Sequence, residues 1–144
     1  MIQWNADLAR RLACREEEKR ALAPLIRRLM ELDRKARSSG FLSLEEELRE
    51  ADDPLLAVGL RLVMEGLSGE ALEDILATYL LAEERSGWPF LKACVIVEGL
   101  IALAESDDPS FMARKLVAYY GADRALAVLE ELERPEPATP AAGR

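Results

Sequence analysis

The stretch ARSSGFLSLEEELREADDPLLAVGLRLVMEG, residues 36–66, decides how this chain is read. Its apolar residues recur at three- and four-residue intervals, first Phe41, Leu44 and Leu48, then Leu56, Leu60 and Val63. That spacing lines one side of an α-helix. Between the two runs stand Asp52, Asp53 and Pro54. An aspartate accepts the unpaired amide hydrogens at a helix start, and proline fits the first turn, where its missing N–H costs nothing. Gly66 closes the unit, because glycine readily takes the left-handed conformation that ends a helix. Ser43 and Glu46 stand at capping-box spacing ahead of the first run.

A second version follows as EGLIALAESDDPSFMARKLVAYYG, residues 98–121, with Asp107-Asp108-Pro109 in the middle and Gly121 at the end. Gly40, Leu42, Leu44 and Glu46 align with Gly99, Ile101, Leu103 and Glu105. Each copy predicts a helix-turn-helix whose apolar sides pack together.

Outside the repeat the helical pattern continues. Asn5 and Asp7 suit a helix start, and Leu8, Leu12, Arg15 and Lys19 share one face. Leu25, Ile26, Leu29, Met30 and Leu32 keep helical spacing up to Arg37, with Pro24 either kinking the helix or lying in a first turn. Ser68 suits the cap of a further helix that turns Leu72, Ile75, Leu76, Tyr79 and Leu80 inward and ends near Gly87. Trp88-Pro89 opens a helix apolar nearly all round through Leu103, the mark of a buried centre. Asp123 suits the cap of a last helix through Leu132. The expectation is an all-α compact bundle of about six or seven helices with two similar helix-turn-helix units. It forms one domain, residues 1–133, followed by a disordered Pro/Ala-rich tail, residues 134–144.

At 144 residues, half of them apolar, the chain is long enough to bury a core. The most apolar run, Ala93 to Ala104, is interrupted by Glu98 and too short to cross a bilayer, and the start lacks a signal-peptide pattern. A cytoplasmic protein without membrane insertion is expected. The net charge of −8 argues against nucleic acid as a partner. Ten of the nineteen Lys and Arg nevertheless fall between Arg10 and Arg37, against five acidic residues there, an asymmetry that can steer a protein partner.

No catalytic constellation is visible. Without histidine or a Gly-x-Ser-x-Gly elbow, the usual base-activated nucleophiles are missing. Cys14 and Cys94 read as ordinary small side chains, and Glu45, Glu46 and Glu47 are consecutive and point in three directions. Neither a metal site nor a cofactor is expected, and the reading is not an enzyme. Glu98, inside an apolar helix, either reaches the solvated rim or is buried against an arginine.

The same stretch carries a resemblance. Residues 36 to 76 look like the cytoplasmic segment of the flagellar stator family MotA (the MotA/TolQ/ExbB proton-channel group), with its Arg, Gly, apolar pair, Leu-Glu, acidic stretch and Asp-Pro. IVEGLIALAESDDPSFMARKLVAYY, residues 96–120, is similar to that family's segment after its last membrane helix. The resemblance covers residues 30–120. In the family a membrane hairpin separates the two segments; here only a short stretch around AEERSGWPF joins them, so the proton-conducting activity does not carry over. What the resemblance implies is a partner surface, with Arg37 and Glu45 at the positions of charged residues that face the rotor protein FliG. The expected function is a soluble protein-interaction domain binding a FliG-like rotor protein or a stator component. The alternative is a helical adaptor or homodimer unrelated to motility, using an apolar patch at Val95 to Leu103 with Trp4 and Trp88.

Overall fold

The computed structural model describes residues 6–135. Among them the chain is all-α: α1 Ala6–Leu12, α2 Glu16–Lys19, α3 Leu22–Ser39, a 3-10 turn Phe41–Leu44, α4 Glu45–Glu50, α5 Pro54–Met64, α6 Gly69–Ala82, α7 Trp88–Ala104, α8 Pro109–Val117, a 3-10 turn Ala118–Tyr120 and α9 Ala122–Glu133. The expected all-α bundle is what is found. The segments outnumber the six or seven expected because the N-terminal run divides into short pieces. Asn5, Trp4 and the tail from residue 136 onward lie outside the described residues.

Helix α7 is the centre. Its residues Phe90, Leu91, Val95, Ile96, Val97, Leu100 and Leu103 are buried, and α1, α3, α5, α6 and α8 pack around it. A helix with apolar residues on every side finds no stable place except inside such a ring. Val95 to Leu103 is therefore interior rather than the dimerisation patch that its composition suggested.

Two glycines let the ring close. A Cβ on Gly59 of α5 would lie 2.1 Å from a methyl of Leu100, and one on Gly99 would lie 2.7 Å from a methyl of Leu29 on α3. Consecutive residues of α7 thus take a leucine knob from one neighbour and press a leucine into the other.

The stop-start devices work as physics requires. The Asp53 side chain accepts from the Leu55 amide at 2.8 Å, the Asp108 side chain accepts from the Phe111 amide at 2.9 Å, and each following proline lies in a first turn. The copies are otherwise unequal. Gly40 ends α3 at φ 83°, whereas its aligned partner Gly99 lies mid-helix against Leu29. Gly66 and Gly121, which close the two units, both have positive φ, 94° and 88°, and each amide bonds back three residues. The turn at Gly66 is also matched in geometry by Ser106, ahead of the second Asp-Asp-Pro. At Gly66 and Ser106 alike the amide bonds back three residues, the next amide bonds back five, and φ is positive, 59° at Ser106. Ser106 is the one non-glycine residue with positive φ among the described residues, a conformation that costs an L-residue energy.

Other local expectations change. Ser43 is no N-cap: it lies within the 3-10 turn and its hydroxyl donates to the Gly40 carbonyl at 2.6 Å. Ser68 holds the N-cap position of α6 without a side-chain bond, and Asp123 lies inside the first turn of α9 behind Gly121. Pro24 falls in the first turn of α3.

Helix α6 ends at Ala82, short of Gly87, and turns only Leu72, Leu76 and Leu80 inward. Ile75 and Tyr79 lie on its outer side, since a helix at the edge of the bundle buries one stripe. The run through Leu12 does not continue to Lys19 because the bond needed there is taken at both ends. The Arg11 carbonyl accepts from the Gly87 amide at 2.8 Å, and the Arg15 amide donates to Glu18 at 3.2 Å.

Replacing Gly59 with alanine tests the close packing. The added methyl improves helix propensity but collides with the fully buried Leu100, and overpacking outweighs propensity. Gly59→Ala is expected to lower unfolding free energy by about 2 kcal/mol in a urea titration.

Candidate functional site

The C-terminal end of α3 reverses at Gly40, and the 3-10 turn sends α4 back along the helix it has just left. Glu47, on α4, reaches two residues seven apart on α3: it accepts from Arg28 and lies 3.3 Å from Lys35. Glu46 adds a contact to Lys35 at 3.6 Å. The three consecutive glutamates do diverge, and the middle of the α3–α4 surface is internally neutralised.

Arg37 and Glu45 stand outside that network, both exposed. Glu45 contacts Arg49 one turn on at 3.4 Å, an exposed pair of little energetic weight. Arg37 has a structural task. Its Nη1 donates to the Ser106 carbonyl at 2.7 Å, so it holds the left-handed turn between α7 and α8. The corner thereby joins the C-terminal end of α3 to the turn between α7 and α8. The sequence placed Arg37 and Glu45 near one another along the chain but gave no sign of this bond.

Asp33 is the residue that the sequence reading passed over. It lies one helical turn before Arg37, is 0% exposed, and has no hydrogen-bond partner for either carboxylate oxygen. Burial pushes its carboxyl up to about 6; Arg37 pulls it down, Asp107 and Asp108 in the facing turn push it further up, and Arg34 pulls it down. A signal was present: Asp33 is four residues after Leu29 and three before Ala36, so it falls on the buried stripe of α3. Asp107 is itself bound to Lys115 of α8 at 2.6 Å. The cluster thus contains Asp33, Arg34 and Arg37 from α3, Asp107 and Asp108 from the turn, and Lys115 from α8.

Glu98 is half-buried and accepts the Tyr119 hydroxyl. Burial, then the Glu98 charge and this bond, raise the Tyr119 phenol above its ordinary value. Cys94, one turn earlier on α7, is buried, and burial with the Glu98 charge pushes its thiol up to about 12. A thiol held so far from ionisation is a poor nucleophile. Cys14, half-buried, is not disulfide-bonded either. Among the described residues no helix is long and apolar enough to cross a membrane.

An all-α bundle with paired helix-turn-helix units and a charged corner defines the class. No family model and no solved structure matches the chain. Three curated relatives do. Motility protein A of Treponema phagedenis is 36% identical over 66 residues, which is 44% of this chain and 26% of that protein. Motility protein A of Treponema pallidum is 38% identical and that of Borreliella burgdorferi 41% identical, each over 56 residues, 39% of this chain and 22% of the relative. The resemblance to MotA is therefore shown for part of the chain, and the matched segment spans about a quarter of the relatives' length.

Asp33 gives a pH prediction with a definite sign. Its folded value, about 6, exceeds the ordinary 3.8, so between these values the native chain holds the extra proton and stability falls as pH rises. At neutral pH the full cost is present, as much as about 3 kcal/mol. Asp33→Asn is expected to raise the melting temperature at pH 7 and to flatten the loss of stability between pH 4 and 6, read by thermal denaturation across that range.

Proposed function

We propose that this chain is a non-enzymatic protein-interaction domain related to the cytoplasmic region of MotA, acting in flagellar motility. Its partner is a FliG-like rotor protein or a stator component, met in the cytoplasm through Arg37 and Glu45. The observation that carries this reading is the contrast within the α3–α4 surface. The half-buried Glu47 neutralises Arg28 and Lys35, whereas Arg37 and Glu45 are exposed at the end of that surface, the one bonded to a neutral carbonyl and the other in a weak surface pair with Arg49. The relatives, each named Motility protein A, support the motility part of this reading. Charges at an exposed corner speed encounter and fix register with a complementary partner.

Binding to the C-terminal domain of FliG, measured at low and at moderate salt, tests the reading. Wild type is expected to bind in a salt-sensitive manner, and Arg37→Glu and Glu45→Lys are each expected to weaken binding about tenfold. Circular dichroism of each variant separates a lost contact from a lost fold. Absence of salt-sensitive binding by the wild-type chain would remove this partner.

A second reading, a helical adaptor or self-associating scaffold, is favoured by one surface. Ile75 and Tyr79 of α6, one helical turn apart, are 37% and 41% exposed and form a small apolar patch on its outer side. Light scattering across a dilution series distinguishes it: a strict monomer at all concentrations leaves no role for self-association.

A further inference from the structure

The corner brings together a fully buried carboxyl group without a hydrogen-bond partner, a serine in a left-handed conformation, and an arginine bonded to the second and one helical turn from the first. Arg37 donates to the carbonyl of Ser106, and Asp33 lies one turn below it on the same helix. Residues four apart on a helix lie one above the other, so a long arginine side chain can fold back onto the residue one turn earlier. Arg37 therefore has two available acceptors, the Ser106 carbonyl and the Asp33 carboxylate.

We propose that Asp33, Arg37 and Ser106 form a proton-controlled latch: protonated Asp33 leaves Arg37 on the Ser106 carbonyl with the α7–α8 turn closed, and ionised Asp33 draws Arg37 away and loosens the turn. The proton is exchanged with bulk water.

The groups around Asp33 make Arg37 the cation that answers its charge. Arg34 is exposed and next in sequence, pointing about 100° away around the helix. Lys115 on α8 is already bound to Asp107, and the turn itself offers only the negative charges of Asp107 and Asp108. A buried carboxylate left unpaired is costly, and an arginine fork relieves it better than any neutral donor. The bond that Arg37 gives up is an exposed one to a neutral carbonyl.

Its loss matters because Ser106 is not glycine. Gly66, in the similar turn after α5, holds φ 94° without steric cost, but Ser106 holds φ 59° against its own Cβ. Removing the Arg37 bond releases a turn that is already strained. The α7–α8 turn is thus switchable, whereas the similar turn after α5, built on glycine, is not. The latch belongs to the isolated chain and stands whether or not Arg37 meets a partner.

Nuclear magnetic resonance of the full chain between pH 4.5 and 8 tests it without any ligand. The Asp33 carboxyl carbon, the Arg37 Nε–H and the Asp107 amide are expected to shift with one common midpoint. Amide exchange at Ser106 and Asp107, corrected for the intrinsic effect of pH, is expected to rise about tenfold above that midpoint. Asp33→Asn is expected to abolish the transition and hold Arg37 and the turn in their low-pH state.

Should that variant fail to fold, Arg37→Gln carries the test at the surface. It is expected to raise the Asp33 midpoint, because the recruiting cation is gone, and to leave the turn exchanging rapidly at every pH. Titration of Asp33 with no accompanying change at Arg37 and Asp107 overturns the latch, as does an Asp33 midpoint unmoved by Arg37→Gln.

Discussion

Everything in this molecule is arranged around the burial of α7. A helix without a polar side must be surrounded, and five other helices of one short chain do the surrounding. The contacts at Gly59 and Gly99 show how tightly. On one side α5 has no side chain where Leu100 enters, and on the other α7 has none where Leu29 enters. Once α3 and α7 are fixed in this way, their C-terminal ends lie side by side. The Arg37 bond to Ser106 is a consequence of that placement, and so is the enclosure of Asp33 beneath the α7–α8 turn.

The two repeated units illustrate how one sequence pattern serves unequal ends. Asp53 and Asp108 cap, Pro54 and Pro109 start helices, and Gly66 turns left-handed, all as their chemistry dictates. Yet the first unit's leading helix is a 3-10 turn plus the short α4, while the second unit's is the 17-residue α7. Matching apolar letters did not mean matching roles. Gly40 serves a turn and Gly99 serves a packing contact, although the alignment sets them in register.

Much of this was legible from residue spacing, and the exceptions have physical reasons. The interior position of α7 follows from its composition, and the capping aspartates follow from their placement before proline. The break after Leu12 does not, because it depends on the Gly87 amide arriving from a distant part of the chain. The spacing of Ile75 and Tyr79 allows them to face inward; only the edge position of α6 decides which stripe is buried. At the candidate site the sequence displayed Arg37 and Glu45 through resemblance. Asp33 occupies a position on the apolar stripe of α3, but a charged residue there gives no sign in the sequence of whether it is buried. The Ser106 carbonyl has no sequence signature at all.

The Arg11 side chain has a consequence for the order in which the chain assembles. It donates to the carbonyls of Leu80, Glu83 and Arg85, residues 69 to 74 positions away, and lies 4.1 Å over the Phe90 ring. Those carbonyls converge only after α6 has ended and α7 has begun, so α1 has nothing to grip until the bundle behind it exists. Closing so long a loop gains nothing earlier in the process. The Arg11 contacts of α1 thus form only once the end of α6 and the start of α7 are in place, a clasp on the bundle, not a strut within it.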